Sequence, residues 1–472
     1  MNISGIKKTG LLKDFNEEGH WYTAYPSLNH WTEDFGHRQF SEAMMDYLDW
    51  EETYGGVHLY IHIPFCAKLC HYCICNIVIT NERKKIETFI DHLTLEIENL
   101  RAFYERQGKV PKIREIHLGG GTPNHLPREE FERLIGSLRT LADLSNLTEF
   151  AMEIDPRLLK EGDLQFYASH GVTRISFGVQ DFDEKVQKAI NREQPFEMVK
   201  EVMKERHLFR GVNFDLLYGL PFQTHETVKK TLEQTVELSP DRITLLKYCH
   251  VPEVRKHMKL IKVGDLPPKE DLGEMFVDMA QYLMDAGYDW VGLDHFAKPT
   301  DSLSIANKKN NLVRTFNGYK PGPVKMMLGL GPTATSALYD TYAQNHYDLN
   351  QYYKAVKEKK FPIERGYKLD AHDMSMREDI FGLLCNLDCD IHLDAPYWMS
   401  IGMSEKLDAM KDLVKVESHY PVWVIKVKPY GRVLLRNICK LFDDKDVLPE
   451  HMKIAQKTIT RRPIESTLSQ SA

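Results

Sequence analysis

Four of the chain's eight cysteines fall in one short stretch, Tyr60-Ile-His-Ile-Pro-Phe-Cys-Ala-Lys-Leu-Cys-His-Tyr-Cys-Ile-Cys75. Cys66, Cys70 and Cys73 have the spacing Cys-x3-Cys-x2-Cys, and Cys75 follows after one intervening residue. Thiolates crowded in this way suit a soft metal centre. A compact loop can wrap an iron–sulfur cubane because successive thiolates reach different corners, and three of them leave one iron without a protein ligand. A structural zinc knot is the alternative. Such knots usually join two cysteine or His/Cys pairs about a dozen or more residues apart. The remaining cysteines, Cys249, Cys385, Cys389 and Cys439, supply no second pair of that kind near the loop.

Further along, small or polar residues stand where apolar runs stop: Gly119 to Thr122, Glu153, Gln180, Asp215 and the pair Tyr248-Cys249. Singly, each reads as a turn residue or a satisfied carboxylate. Together with the cysteine loop, all at the same end of successive strands, they read as a site.

The elements that must position these groups alternate. Strand patterns run over 57–63, 113–118, 149–154, 174–179, 211–217 and 242–248. Between them, Ile86, Phe89, Leu93, Ile97, Leu100 and Phe103 share one helical face. A second helix opens at Pro127-Arg-Glu-Glu, with proline and acidic residues in a favourable first turn. Further helical patterns run over 159–170, 183–206, 224–238 and 269–286. Alternating strands and helices predict an α/β fold with a parallel sheet, here a partial (β/α)6 barrel of TIM type, whose strand carboxyl ends converge on one mouth. Residues 1–45 are aromatic and polar without clean periodicity and read as an N-terminal arm packing on a 46–360 barrel. Residues 361–456 read as a smaller, mainly helical domain over the mouth, with a strand and turn at 422–431, and 457–472 as a disordered tail.

The 472 residues carry a net charge of −7, which offers no general basic field for nucleic acid. Residues 1–16 contain no apolar leader, and no stretch reaches the length of a membrane span. A cytoplasmic protein without disulfides is expected, its thiols kept reduced.

The cysteine loop after an apolar strand, with Gly119-Gly-Gly-Thr-Pro123 ending the next, resembles the radical S-adenosylmethionine superfamily. Within it the chain is similar to the oxygen-independent coproporphyrinogen III oxidases. That resemblance rests on the Cys-x-Cys ending at Cys75, Glu153-Ile-Asp-Pro-Arg157, Phe177-Gly-Val-Gln-Asp-Phe182, Asn191-Arg-Glu-Gln194, Asp215-Leu-Leu-Tyr-Gly-Leu-Pro221, Gly292-Leu-Asp-His-Phe-Ala297 and Arg436-Asn-Ile-Cys439. It implies a [4Fe–4S] cluster on Cys66, Cys70 and Cys73, with Cys75 as a fourth, non-ligating cysteine of catalytic importance. The open iron would bind S-adenosylmethionine, whose reductive cleavage gives a 5′-deoxyadenosyl radical. The first such molecule would lie on Tyr60, Gly120, Glu153 and Thr335, with Tyr60 and Glu153 also serving catalysis. A second would lie on Tyr72, Gly121, Thr122, Gln180, Arg192, Asp215 and Cys249. Glu153 can accept from ribose hydroxyls or an ammonium, and the Arg192 guanidinium suits a carboxylate.

The implied reaction decarboxylates two propionates of coproporphyrinogen III to vinyl groups in a monomer fed by a low-potential donor such as flavodoxin or ferredoxin. A related radical methyltransferase or cyclopropanase, or a heme-binding or heme-delivery protein that keeps the cluster, is the alternative. Departures from the family pattern gather on the substrate side: Asn317 replaces Gln, His20-Trp21 replaces Pro-Arg, Tyr72 replaces Phe, and Cys249 and Thr335 stand at positions of small residues. Between Asp301 and Asp340 there is no acidic residue, whereas Lys308, Lys309, Arg314, Lys320 and Lys325 fall inside. The glycines and prolines there predict a basic loop, either solvated or gathering the propionates of a porphyrinogen.

Overall fold

Apolar residues at alternate positions need cover on one face, and six such runs become neighbouring parallel strands: β1 Val57–Ile63, β2 Ile113–Gly120, β3 Glu149–Ile154, β4 Arg174–Gln180, β5 Gly211–Tyr218 and β6 Arg242–Lys247. Six more join the same sheet: β7 Asp289–Val291, β8 His295–Ala297, β9 Met326–Leu330, β10 Thr335–Ala337, β11 Thr341–Asn345 and β12 Ile363–Lys368. The order is β12-β11-β10-β9-β1-β2-β3-β4-β5-β6-β8-β7, so β7 and β12 end the sheet and the barrel is partial. β9 continues the parallel set beside β1; β8 pairs antiparallel to β6. This computed structural model describes residues 1–445 except 16–19, 52, 54, 393–397, 399–401 and 420–421, and the expected tail at 457–472 lies outside the described residues.

On β1, Leu59, Ile61 and Ile63 belong to one buried apolar cluster with Phe89, Leu93 and Ile97 of the helix Arg83–Arg106. The alternate residues His58, Tyr60 and His62 face the other way, beside Glu115, His117 and Gly119 of β2. The barrel interior is therefore polar, which is stable only because its groups pair. Glu149 is bonded to Arg174 at 2.7 Å, Arg174 to Asp301 at 3.0 Å and Arg242 to Asp301 at 2.8 Å. His58 Nδ1 lies 3.1 Å from Glu115 Oε2.

The expected basic loop is corrected by the structure. Residues 302–308 form a helix, and Leu312–Thr315 and Gly318–Pro321 form a hairpin. Lys320 is buried between Glu115 at 3.7 Å and Glu149 at 3.4 Å, Lys308 pairs with Asp289, and Arg314 donates to the Trp21 carbonyl at 3.0 Å. The local absence of acids misled because the partner carboxylates come from distant strands. Lys320 is thus an internal counter-ion to Glu115 and Glu149 instead of a residue of a basic loop.

Three further differences have local causes. The expected helix over 183–206 breaks into Glu184–Ala189 and Phe196–Met203, because Asn191 adopts φ +55 and Pro195 lacks the N–H needed to continue. Past position 360, β12 still pairs with β11 in the main sheet. The C-terminal segment adds to its helices a three-stranded sheet of Asp388–His392, Val422–Val427 and Val414–His419.

The arm lies along the barrel. Ile3 N–H donates to Gln281, Phe15 packs on Phe276 and Trp31 stacks on Tyr342 with ring centroids 5.3 Å apart. Thr32 bridges to Gly366 of β12.

Candidate active site

β1 runs directly into the cysteine loop, which is tied down on several sides. Phe65–Cys66 pairs with Val78–Ile79, closing the loop at its base. Asn191 Nδ2 donates to the Leu69 carbonyl at 2.7 Å and His71 N–H to Ile190 at 2.9 Å. From the segment after β6, His257 Nε2 donates to the Cys73 carbonyl at 2.8 Å, and Arg255 donates to the Asn76 side chain at 2.6 Å. Cys66 and Cys70 are buried, and Cys75 faces solvent. Burial pushes the Cys66 thiol up to about 12, against the opposing hydrogen bond from Thr122.

The sulfurs meet donors. Thr122 Oγ1 donates to Cys66 Sγ at 3.2 Å, and the guanidiniums of Arg157 and Arg192 approach Cys70 Sγ at 3.8 and 3.7 Å. A hydrogen bond with Cys73, and then the charge of that same neighbour, raise the Cys75 thiol.

Beside the loop, the glycine turn is a cradle. Gly121 N–H donates to the Ile63 carbonyl at 2.7 Å. Gly120 has φ +108, and a Cβ there would meet the His62 ring at 2.5 Å; at Gly119 it would meet Glu153 Oε1 at 2.6 Å. Glu153, on the interior face of β3, accepts from Gly120 N–H and from His117 Nε2, each at 3.2 Å, while its side chain stays 40% exposed. His62 Nε2 donates to the Asn76 carbonyl at 2.9 Å, which leaves Nδ1 to accept from the Tyr60 hydroxyl at 3.0 Å. Burial lowers the His62 pKa, so the ring is neutral.

The second group of expected residues is partly gathered here. Gln180 ends β4 in a bulge with φ +66, close to Arg192 through Gly178. Arg192 donates through Nε to the Gly178 carbonyl at 2.8 Å. Asp215 sits within β5 instead of in the loop beyond it; it accepts from Ser176 at 3.0 Å and Asn213 at 2.9 Å, and burial raises its pKa. Tyr72 packs on a satellite apolar cluster containing Val186, Ile190 and Tyr248. Cys249 is exposed beyond β6. Thr335 is buried on β10, its backbone packed against Gly329, the β9 partner of Tyr60. Among the described residues no hydrogen bond joins these last two to the cysteine loop.

Residues 60–235 match the radical SAM superfamily. The chain is 34% identical over 439 residues to the oxygen-independent coproporphyrinogen III oxidase of Escherichia coli (strain K12), covering 92% of this chain and 94% of that one. It is also 34% identical to the protein of that name from Synechocystis, over 92% of this chain and 94% of the relative. The solved structure of coproporphyrinogen III oxidase from Escherichia coli, described as a radical SAM enzyme, superposes with a TM-score of 0.82 over 90% of this chain and 97% of that one.

The chain belongs to the oxygen-independent coproporphyrinogen III oxidase family.

Membership makes it a radical SAM oxidoreductase whose cofactors are a [4Fe–4S] cluster and S-adenosylmethionine. The residues present fit both groups. Among the described residues no three His, Cys, Asp or Glu side chains converge as a single-ion site requires, whereas a cubane takes each thiolate at a separate corner. The loop sulfurs already face hydrogen-bond donors, as ligating thiolates need, and the glycine turn leaves a space that any Cβ would fill.

Sequence reasoning assigned no role to His62, His117, Asp155 or Arg157. The alternation of His58, Tyr60 and His62 was a usable signal, since it puts three polar side chains on the face opposite the apolar one. Arg157 was visible as the end of the Glu153-Ile-Asp-Pro-Arg157 stretch, but its tie to Cys70 was not, because only the fold brings the two together.

Proposed function

We propose that this protein catalyses the oxygen-independent oxidative decarboxylation of two propionates of coproporphyrinogen III to vinyl groups, giving protoporphyrinogen IX in porphyrin biosynthesis. The observation that carries this reading is a tethered three-cysteine loop beside a glycine cradle, in a chain sharing 34% identity with a coproporphyrinogen III oxidase over 92% of its length. Held by Cys66, Cys70 and Cys73 and by the glycine turn, the cluster and S-adenosylmethionine would supply the radical chemistry that abstracts hydrogen from a propionate.

The chain's own part is to bind, orient and exclude water. Cys66, Cys70 and Cys73 hold the cluster in this reading, and Cys75 stays free of iron. Gly120 offers a close backbone approach to the first S-adenosylmethionine, and Glu153 keeps an exposed carboxylate for its hydroxyl or ammonium groups. The Tyr60 hydroxyl, bonded to neutral His62, packs beside them; Thr335 lies two strands over, beyond β9. Gly121, Thr122, Gln180, Arg192, Asp215, Tyr72 and Cys249 serve a second molecule. The Arg192 guanidinium and the Asp215 carboxylate there offer opposite charges to an amino acid's two ionic groups.

A low-potential protein such as flavodoxin or ferredoxin supplies the electron, and the enzyme works as a cytoplasmic monomer. The eight free thiols suit a reducing compartment; separately, no helix among the described residues is long and apolar enough to cross a membrane.

The test is anaerobic turnover with reductant and coproporphyrinogen III. The expected products are 5′-deoxyadenosine, carbon dioxide and a vinyl porphyrinogen. Transfer of a labelled methyl group, or tight heme binding without turnover, would replace this reading. Run in parallel, Cys66→Ala should lose iron and the brown absorbance, while Cys75→Ser should retain both.

A further inference from the structure

Two guanidiniums, both paired with one carboxylate, approach the sulfur of Cys70. Arg157 Nη2 lies 3.8 Å from Sγ and Arg192 Nη1 3.7 Å from it, on separate segments that the fold brings together. Both lean on Asp155. Arg157 donates to its carboxylate through Nε at 2.9 Å and Nη2 at 2.6 Å, and Arg192 Nη1 reaches the same Oδ2 at 3.4 Å. The side chains are 15%, 9% and 8% exposed for Arg157, Arg192 and Asp155, so water screens them little.

The group is also rigid. Asn124, just past the glycine turn, clamps the Asp155 backbone with two 2.9 Å hydrogen bonds, and Arg157 Nη1 reaches the Asn191 carbonyl at 3.5 Å. Asn191 in turn donates to Leu69, next to Cys70.

Two positive charges balanced by one negative charge leave a net +1 against Cys70. We propose that Arg157 is a positioning residue that tunes the cluster's reduction potential: through its N–H···S contact and its unbalanced charge it favours the reduced state. This rests on Cys70 being a cluster ligand. One-electron reduction adds negative charge to the cluster and its sulfurs, and hydrogen bonds and positive charge at those sulfurs stabilise that state. Asp155 acts in the opposite sense, holding the guanidinium in place while cancelling part of its field. A purely structural role for the pair would leave the potential unmoved.

The experiment is an EPR-monitored redox titration of the reconstituted full-length protein, with iron measured on every sample. Arg157→Gln takes the local charge from +1 to 0. At the wild-type midpoint its ratio of reduced to oxidised cluster should fall about tenfold, equivalent to about 59 mV for one electron. Asp155→Asn takes the charge to +2 and should move the ratio in the opposite direction, and Arg157→Lys, which keeps the charge, should stay near wild type. Iron-loaded Arg157→Gln and Asp155→Asn with unchanged midpoints, or midpoints moving the same way, would overturn the proposal. If Arg157→Gln does not fold, the upward shift in Asp155→Asn still decides it. Wild type that takes up no iron would instead refute the assignment of Cys70 as a ligand.

Discussion

Replacing Lys320 with methionine tests whether the barrel interior is held by charge balance. The network holds three carboxylates, Glu115, Glu149 and Asp301, against three permanent cations, Lys320, Arg174 and Arg242. His58 is neutral, because burial and then the nearby Lys320 ammonium push its pKa down to about 4. Lys320 sits 3.4 Å from Glu149 and 3.7 Å from Glu115. At an effective dielectric constant near 20, each such contact is worth about 4–5 kcal/mol of attraction. Desolvating the ammonium offsets much of this, but removing one partner leaves a buried charge uncompensated, and the expected loss is about 3–5 kcal/mol. For 472 residues that is about 3–5 °C in Tm, given the usual unfolding entropy per residue.

The pH dependence sharpens the test. In wild type, His58 has a folded pKa near 4, below the unfolded value of about 6.5. The unfolded chain therefore binds a proton that the folded chain refuses, and stability falls as pH drops from about 6.5 toward 4, by at most about 3 kcal/mol. Without Lys320, His58 loses its repelling neighbour and faces an unbalanced Glu115, so its pKa rises and less is lost on acidification. The Tm gap between wild type and Lys320→Met should be largest at pH 7.5 and narrow at pH 5.0, measured by scanning calorimetry of the apo protein. Equal Tm values at pH 7.5, or a gap that fails to narrow, would refute the charge-balance argument.

Gly120→Ala should cost about 1–2 kcal/mol in backbone strain alone and, by displacing His62, abolish S-adenosylmethionine binding by calorimetry. Gly136→Ala, in a helix with open space beside it, should instead stabilise by about 0.5–1 kcal/mol. His62→Phe removes the acceptor for Tyr60 and the donor to Asn76; the reconstituted variant should release iron to a chelator several-fold faster than wild type, with little change in far-UV circular dichroism. Trp31→Ala empties the stack on Tyr342 and drops the hydrogen bond to Pro26, costing about 3–5 kcal/mol and exposing the N-terminal arm to limited proteolysis.

The chain by itself determined what depends on near neighbours. Strands β1 to β6 follow from apolar alternation over a few residues, and each lies within two residues of its expected ends. The cysteine spacing and the glycine turn are equally local, since thiolate crowding and freedom from a Cβ are properties of short segments. Tertiary structure alone decided which distant charges meet. Lys320 read as a basic loop residue because no acid lies near it in sequence, yet it is buried between Glu115 and Glu149, whose strands are more than a hundred residues away along the chain. Asp215 read as a loop residue, yet it lies inside β5 under hydrogen bonds from Ser176 and Asn213. Arg157 entered only as the last residue of the Glu153-Ile-Asp-Pro-Arg157 stretch, which says nothing of Cys70. Its place beside Cys70 comes from two loops packing at one mouth, and electrostatic interaction follows distance in space, which a linear pattern does not encode.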